Sequence, residues 1–131
     1  MDSIDTFLSA QHYAVAGAST NRDKYGNKVL RCYMQNNKQV TPINPRAETI
    51  EGLPCVANVA DLDDSVESLS IITPPKITVE VVKQAIAKGI KNIWMQPGAE
   101  CDEAVELCQQ NGINVIADGS CLLVVLHYHE H

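Results

Sequence analysis

Positive charge is scarce in this sequence. Ten lysines and arginines stand against 16 aspartates and glutamates, which gives a formal net charge of −6 at neutral pH. A protein that binds nucleic acid usually presents a basic face to the phosphate backbone and releases counterions from it. Because no such excess of basic residues is present, we expect no nucleic-acid partner.

Long hydrophobic runs are also lacking. A membrane helix needs about 18 or more apolar residues in succession, and the purest apolar run, residues 122–126, is far shorter. The first residues, Met-Asp-Ser-Ile-Asp, have neither the basic start nor the apolar stretch of a secretory signal. We therefore expect a cytoplasmic protein that has no membrane partner.

The cysteines lack the CxxC spacing of many metal and redox sites. They are odd in number and scattered along a chain without an export signal, a combination that indicates reduced thiols. Such residues usually serve as small core hydrophobes, and this is our prediction for all five: Cys32, Cys55, Cys101, Cys108 and Cys121.

The length of 131 residues corresponds to one domain, because domains usually run to about 100–200 residues. A chain of this size can bury about two-thirds of its unfolded surface and needs no metal or disulfide to complete its core. We predict one domain over residues 1–131, in which the structure of the tail, residues 122–131, is left open between a last strand and part of a buried helix.

Short apolar runs alternate with segments of helical periodicity. The runs are continuous, as expected for strands that are buried on both faces of a sheet. They predict strands at residues 13–16, Gln39–Ile43, residues 68–72, Asn92–Met95 and residues 114–117. The predicted helix faces are Val29, Leu30, Tyr33 and Met34, then Val79, Val82 and Ile86, then Val105, Leu107 and Cys108. This alternation predicts an α/β fold, an open doubly wound parallel sheet with helices on both faces.

The segment between residues 46 and 66 has a weaker pattern. Residues 53–56 are interpreted as a short edge strand, and residues 59–62 as a turn or a brief helix. An acidic run follows, for which a solvated helix start is favoured over a cation site because carboxylates suit the helix dipole. This run comprises Asp61, Asp63, Asp64 and Glu67.

The candidate site consists of the residues that follow the predicted strands, because ligands of open α/β sheets bind beyond the carboxyl ends of the strands where the strand order reverses. These turns hold glycine, proline and small polar residues, and Arg46 is their single charged residue. Such a composition suits recognition by backbone and hydroxyl groups and is poor in groups for acid–base catalysis. The turns are Gly17-Ala18-Ser19, Asn44-Pro45-Arg46, Thr73-Pro74-Pro75 and Gln96-Pro97-Gly98.

Gly17 is expected to let the backbone approach a phosphate, which the amides of the following helix would bind. The dinucleotide pattern G-x-G-x-x-G is not met, because Ser19 stands where the second glycine would be. Arg46 occupies a place where a classical NAD site has an acidic residue. A guanidinium prefers a phosphate to a diol, so coenzyme A or NADP fits better than NAD, unless Arg46 is simply a solvated surface residue.

Four of these features occur in an order that resembles a known family. Gly17-Ala18-Ser19, Asn44-Pro45, the Pro74-Pro75 turn before an amphipathic helix, and the run from Ile93 to Gly98 are similar to stand-alone CoA-binding domain proteins. These proteins are in turn similar to the N-terminal domain of the succinyl-CoA synthetase α subunit. The resemblance covers about residues 13–121 and implies a Rossmann-like domain that binds coenzyme A or an acyl-CoA.

The resemblance also implies a role for each matching residue. Phosphates would lie against Gly17, Ala18, Ser19, Tyr25 and Asn27. The phospho-adenosine would be flanked by Asn44, Pro45 and Arg46. The pantetheine arm would follow Thr73, Pro74 and Pro75 to a far edge at Gln96 and Gly98.

The synthetase's phosphohistidine belongs to a second domain, so the resemblance implies binding without ligase chemistry by this chain. Two alternatives stay open: an NADP-binding oxidoreductase-like domain, and a redox or regulatory module in which Cys121 exchanges disulfides with coenzyme A. We expect no metal at His127, His129 and His131, and we expect Trp94 to be a core residue. The apolar tail is compatible with a homodimer.

Overall fold

The computed structural model describes residues 2–130. Five α-helices, a short 3-10 helix and seven strands follow one another along this part of the chain. In chain order they are α1 (Ser3–Phe7), β1 (His12–Ala16), α2 (Tyr25–Gln35), β2 (Gln39–Ile43), β3 (Thr49–Ile50), β4 (Leu53–Pro54), the 3-10 helix (Val59–Asp61), β5 (Ser68–Ile71), α3 (Pro75–Lys88), β6 (Asn92–Met95), α4 (Asp102–Gln110), β7 (Asn114–Ile116) and α5 (Leu122–Val125).

Five parallel strands form the main sheet, in the order β2-β1-β5-β6-β7. The strand β1 pairs with β2 on one side, where His12 lies opposite Gln39, and with β5 on the other, where Tyr13 lies opposite Ser68. After β1 the chain therefore adds β2 on one side, and it then crosses over to add β5, β6 and β7 on the other side. This arrangement confirms the predicted doubly wound fold and places the reversal of strand order between β1 and β5.

Alternate residues of the strands enter two separate hydrophobic cores. In β1, Ala14 and Ala16 belong to a core beneath α3, α4 and the 3-10 helix, whereas Tyr13 and Val15 belong to a core beneath α1, α2 and α5. Every residue of β1, β5 and β6 is buried. Helices thus cover both faces of the sheet, which is why these strands appear in the sequence as continuous apolar runs.

The short helix α1, which has no clear signal in the sequence, is attached at the amino-terminal edge of the sheet by hydrogen bonds between polar side chains. The Ser68 hydroxyl donates to the Phe7 carbonyl at 2.9 Å, and the Asn92 amide donates to the Ser68 hydroxyl at 3.1 Å. Asn114 donates to the Asn92 side chain at 3.1 Å and to the Ser3 carbonyl at 2.9 Å. These bonds satisfy polar groups that would otherwise be costly to bury.

Several local predictions need correction. The predicted edge strand at residues 53–56 is shorter: β4 pairs antiparallel with β3, and Val56 forms a single bridge to Ile43. The acidic run begins no helix, since the 3-10 helix ends at Asp61 and a loop follows. Met34, expected on the buried face of α2, is exposed. Of the two alternatives for the tail, residues 122–126 form the helix α5 and its C-cap.

The cysteines fit their prediction only in part. Cys32 and Cys108 are buried, and the other three are partly exposed. All five are free thiols in the described structure.

Within residues 2–130, no helix has both the length and the apolar character to cross a bilayer.

Candidate functional site

Gly17 occupies the turn at the point where the strand order reverses. Its φ is +90°, and a Cβ atom there would lie 2.2 Å from the carbonyl oxygen of Ile72, which follows β5. A side chain is therefore excluded by space as well as by conformation. The loops after β1 and β5 can touch only because residue 17 is glycine.

Gly26, which is not among the predicted site residues, plays a matching part. A Cβ on Gly26 would lie 1.9 Å from the Gly17 carbonyl oxygen, so the first turn of α2 packs directly on the Gly17-Ala18 peptide. The helix begins at Tyr25, and its N-cap Lys24 makes no side-chain capping bond. The first amides of any helix have no intrahelical acceptor, so α2 presents donors at this turn. The glycine directly after Tyr25 is the signal that could have indicated this contact.

Asn27 lies behind the loop rather than on its open side. The residue is fully buried, and its amide nitrogen donates to the Ser19 carbonyl at 2.9 Å and to a Glu51 carboxylate oxygen at 3.2 Å. Its side-chain oxygen accepts a bond from Arg31 at 2.6 Å. Asn27 thus fixes the backbone of the loop after β1, and Ser19 is the member of this pair that is partly exposed.

Asn44 connects the ends of β1 and β2. Its amide nitrogen donates to the Ala18 carbonyl at 3.0 Å. Its side-chain oxygen accepts from the backbone amides of Arg46 at 2.8 Å and Ala47 at 3.0 Å, which shapes the turn. As a result, Pro45 and Arg46 are held on the surface beside the Gly17 turn.

The turn after β5 is tied to the start of α3. The hydroxyls of Thr73 and Thr78 lie 2.8 Å apart, and Thr78 is fully buried. Pro74 is the N-cap of α3 and Pro75 its first residue, a position where a missing backbone donor costs nothing. Thr73 is partly exposed and the two prolines are exposed.

A cavity of about 240 Å³ opens on the α3 side of the Gly17 turn. It brings together five predicted residues from three strand ends: Gly17, Ala18, Asn44, Pro45 and Thr73. It also includes residues from the 3-10 region and from α3 that are not among the predicted site residues, because no strand ends there. Those with side chains of note are Asn58, Val59, Ile77, Val81 and Gln84.

A second cavity, of about 220 Å³, lies between Tyr25 and the turn after β6. Ile72, Gln96, Pro97 and Cys121 complete its wall. The buried Gln96 donates to the Cys121 sulfur at 3.4 Å and accepts from the Leu122 amide at 2.9 Å. Gln96 therefore fixes the start of α5, and Tyr25, at 62% exposure, covers the cavity from the solvent side.

Six predicted residues line neither cavity in the described structure: Ser19, Asn27, Arg46, Pro74, Pro75 and Gly98. Gly98 lies in the turn after β6. It has a φ of +98°, and its amide donates to a Glu100 carboxylate oxygen at 3.0 Å. Gly98 thus shapes the turn after β6, while Gln96 and Pro97 of the same turn line the second cavity.

Few ionisable groups face these cavities. Among the described residues, none that lines the first cavity is ionisable, and Tyr25 and Cys121 are the ionisable residues in the wall of the second. Arg22, in the loop between β1 and α2, forms an ion pair with Glu51, and hydrogen bonds from Asn27 and Arg22 lower the pKa of Glu51. The arrangement offers backbone donors and apolar walls, which suits binding more than proton transfer.

The other residues singled out from the sequence lie away from the cavities. Trp94 is fully buried, as predicted, and donates to the Ser120 carbonyl at 2.9 Å. His127 is exposed, and His131 falls outside the described residues. In the described part of the chain, no three histidines, cysteines or carboxylates come together as metal ligands.

Known proteins resemble this chain in sequence. An ADP-forming acetate–CoA ligase (form II) from Archaeoglobus fulgidus is 32% identical over 114 residues, which cover 78% of this chain and 17% of the ligase. The chain therefore spans less than a fifth of the length of that curated relative.

Solved structures of small proteins match over nearly their whole length. A conserved hypothetical protein from Pyrococcus furiosus is 36% identical with a TM-score of 0.84, and the match covers 88% of this chain and 98% of that protein. A protein from Thermus thermophilus is 29% identical with a TM-score of 0.85, and 97% of each chain is covered. The family model described as "CoA binding domain" matches residues 11–127. The chain thus belongs to the CoA binding domain family, as the order of its strand-end motifs indicates.

Proposed function

We propose that this protein is a cytoplasmic binding module for coenzyme A or an acyl-CoA and has no catalytic machinery of its own. The observation that carries the proposal is the meeting of the predicted turns at the reversal of strand order, between two cavities whose walls are apolar and poor in ionisable groups. Membership of the CoA binding domain family supports the choice of ligand.

In this proposal the ligand crosses the Gly17 turn. Gly17, Ala18 and Ser19 offer backbone and hydroxyl groups to the phosphates, Tyr25 covers them, and Asn27 holds the loop in place. A phosphate next to α2 would also gain from the first amides of the helix.

The remaining predicted residues would contact the two ends of the ligand. Asn44, Pro45 and Arg46 flank the phospho-adenosine, and the exposed guanidinium of Arg46 is available to its 3′-phosphate. Thr73, Pro74 and Pro75 line the path of the pantetheine arm toward Gln96 and Gly98.

Calorimetric titration with coenzyme A, dephospho-CoA, NADP and NAD tests the proposal. We expect coenzyme A to bind best, about tenfold more tightly than dephospho-CoA, because a charge-assisted hydrogen bond contributes this much. Arg46→Gln should remove that preference, and the control Lys83→Gln, on the exposed side of α3, should keep it. Tighter binding of NADP than of coenzyme A would overturn the proposal in favour of an oxidoreductase-like domain.

A redox role is a second candidate, favoured by the position of Cys121 in the wall of the second cavity. In this reaction the Cys121 thiolate attacks a disulfide of coenzyme A, forms a Cys121–CoA disulfide and releases the other sulfur as a thiol. Mass spectrometry after incubation with CoA disulfide should then show a CoA adduct that Cys121→Ser abolishes and Cys101→Ser retains. A protein that keeps only free thiols under these conditions would contradict this role.

A further inference from the structure

One buried side chain, Arg31 of α2, fastens the loop between β1 and α2 at two points. Its Nε donates to Asn27 at 2.6 Å, and Asn27 in turn donates to the Ser19 carbonyl at 2.9 Å. Its Nη2 donates directly to the Arg22 carbonyl at 2.8 Å. The shape of the loop that carries Ser19 therefore depends on where the guanidinium lies.

The guanidinium is costly to keep in this position. The Arg31 side chain is 7% exposed, and its Nη1 is buried without a hydrogen-bond partner in the described structure. Arginine does not lose its charge in proteins, so the charge must be balanced by a nearby anion or dipole. Glu130, close to the end of the chain, provides a carboxylate whose oxygen lies 3.5 Å from Nη2.

The same end of the chain covers Arg31. Residues 126–130, which we call the C-terminal strap, lie along α2: Asn36 donates to the Leu126 carbonyl at 3.1 Å, and Gln35 donates to the His129 carbonyl at 2.8 Å. The Tyr128 ring centre lies 5.6 Å from the Arg31 guanidinium carbon, a distance at which cation and ring attract each other. Tyr128 also donates to the Glu130 carboxylate at 2.6 Å, which orients the carboxylate near Arg31.

We propose that Arg31 is a positioning residue for the loop between β1 and α2 and that the C-terminal strap controls it. When the strap lies on α2, Glu130 and Tyr128 hold the guanidinium where it fastens Ser19 and Arg22. Anything that lifts the strap, such as a partner that binds residues 126–130, loosens the loop and weakens ligand binding. The part of this inference that concerns affinity rests on the proposed binding of coenzyme A.

Hydrogen exchange tests the inference without any ligand. Arg31→Lys keeps the charge but loses the planar set of donors, and Glu130→Gln removes the charge at a residue whose side chain is 59% exposed, so that the fold should survive. We expect both variants to exchange the amides of residues 19–24 faster, while the amides of β5 serve as an internal reference for global unfolding. Glu103→Gln, at an exposed position of α4, is the matched control and should exchange as the unmodified protein does.

A parallel titration with coenzyme A separates the two proposals. We expect Arg31→Lys and Glu130→Gln to weaken binding by about three- to tenfold, a range typical of coupling through packed networks. Unchanged exchange in residues 19–24 of both variants would overturn the inference, even if coenzyme A binds. Faster exchange in a protein that does not bind coenzyme A would support the coupling of strap and loop and would refute the proposed ligand instead.

Discussion

At the scale of single residues, the two glycines at the loop contact decide whether the site can form. A Cβ atom added to Gly26 would lie 1.9 Å from the Gly17 carbonyl oxygen. We expect Gly26→Ala to cost about 1–3 kcal/mol of stability through overpacking, and to weaken ligand binding because the Gly17-Ala18 peptide must move. Gly89→Ala is a suitable control: it forces an alanine to a φ of +88° but meets no atom within 4 Å, far from the loop. Equal ligand affinity in the two variants, measured by titration beside denaturant unfolding, would show that the contact does not shape the site.

A buried histidine makes stability depend on pH. His12 is 5% exposed, and its ring nitrogens lie 2.8 Å from the hydroxyls of Ser65 and Thr41. Burial lowers its pKa, while Asp63 opposes the shift. Because the unfolded chain then takes up the proton more readily, the contribution of His12 is complete above its unfolded pKa of about 6.5 and is lost as pH falls toward its folded pKa.

Urea unfolding across this range measures the effect. We expect the urea concentration at the midpoint of unfolding to decrease as the pH is lowered from about 8 to about 5. His12→Asn should show a smaller decrease. His127→Asn, at an exposed position, should leave the full dependence in place. An undiminished pH dependence in His12→Asn would assign the effect to other groups.

At the scale of elements, the sequence predicts what depends on local pattern and misses what depends on contact. The central strands can be predicted because both of their faces are buried, which makes them continuous apolar runs. Gly17 can be predicted because it directly follows such a strand. The five-residue helix α1 is too short for periodicity to show, and its place depends on distant Ser68 and Asn114. Asn58 and Gln84 join the first cavity only because the 3-10 region and α3 meet there, and this meeting has no local signal.

The helix α1 is expected to contribute to stability despite its length. Phe7 is fully buried and meets the Trp94 ring edge-on, with ring centres 5.3 Å apart. We expect Phe7→Ala to cost about 3–5 kcal/mol, whereas Val124→Ala, at a residue that is 73% exposed, should stay within about 0.5 kcal/mol. Denaturant unfolding of the two variants gives both values. A loss below that of an ordinary surface substitution would mean that α1 is detached in solution.

At the scale of the whole molecule, the amino-terminal and carboxyl-terminal edges of the sheet have different roles. At the amino-terminal edge, hydrogen bonds join Ser68, Asn92 and Asn114, so these three polar side chains already have protein partners. The carboxyl-terminal edge instead carries the loops and both cavities. A ligand that bridges the two cavities touches segments far apart in sequence and should stabilise them together.

Hydrogen exchange with and without coenzyme A distinguishes the two edges. We expect protection in the loops after β1, β2, β5 and β6, together with the first turn of α2, and none in the segments that enter β5 and β6 from the opposite edge. At about 100 times the dissociation constant, binding should add about 2.7 kcal/mol to the free energy of unfolding, which slows the most protected amides of both cores as well.

Dephospho-CoA gives the matched comparison, because any protection near Arg46 that it fails to reproduce belongs to the 3′-phosphate. Protection centred on the amino-terminal edge would place the ligand beside polar side chains that already have hydrogen-bond partners in the protein. The roles assigned to the two edges would then be wrong.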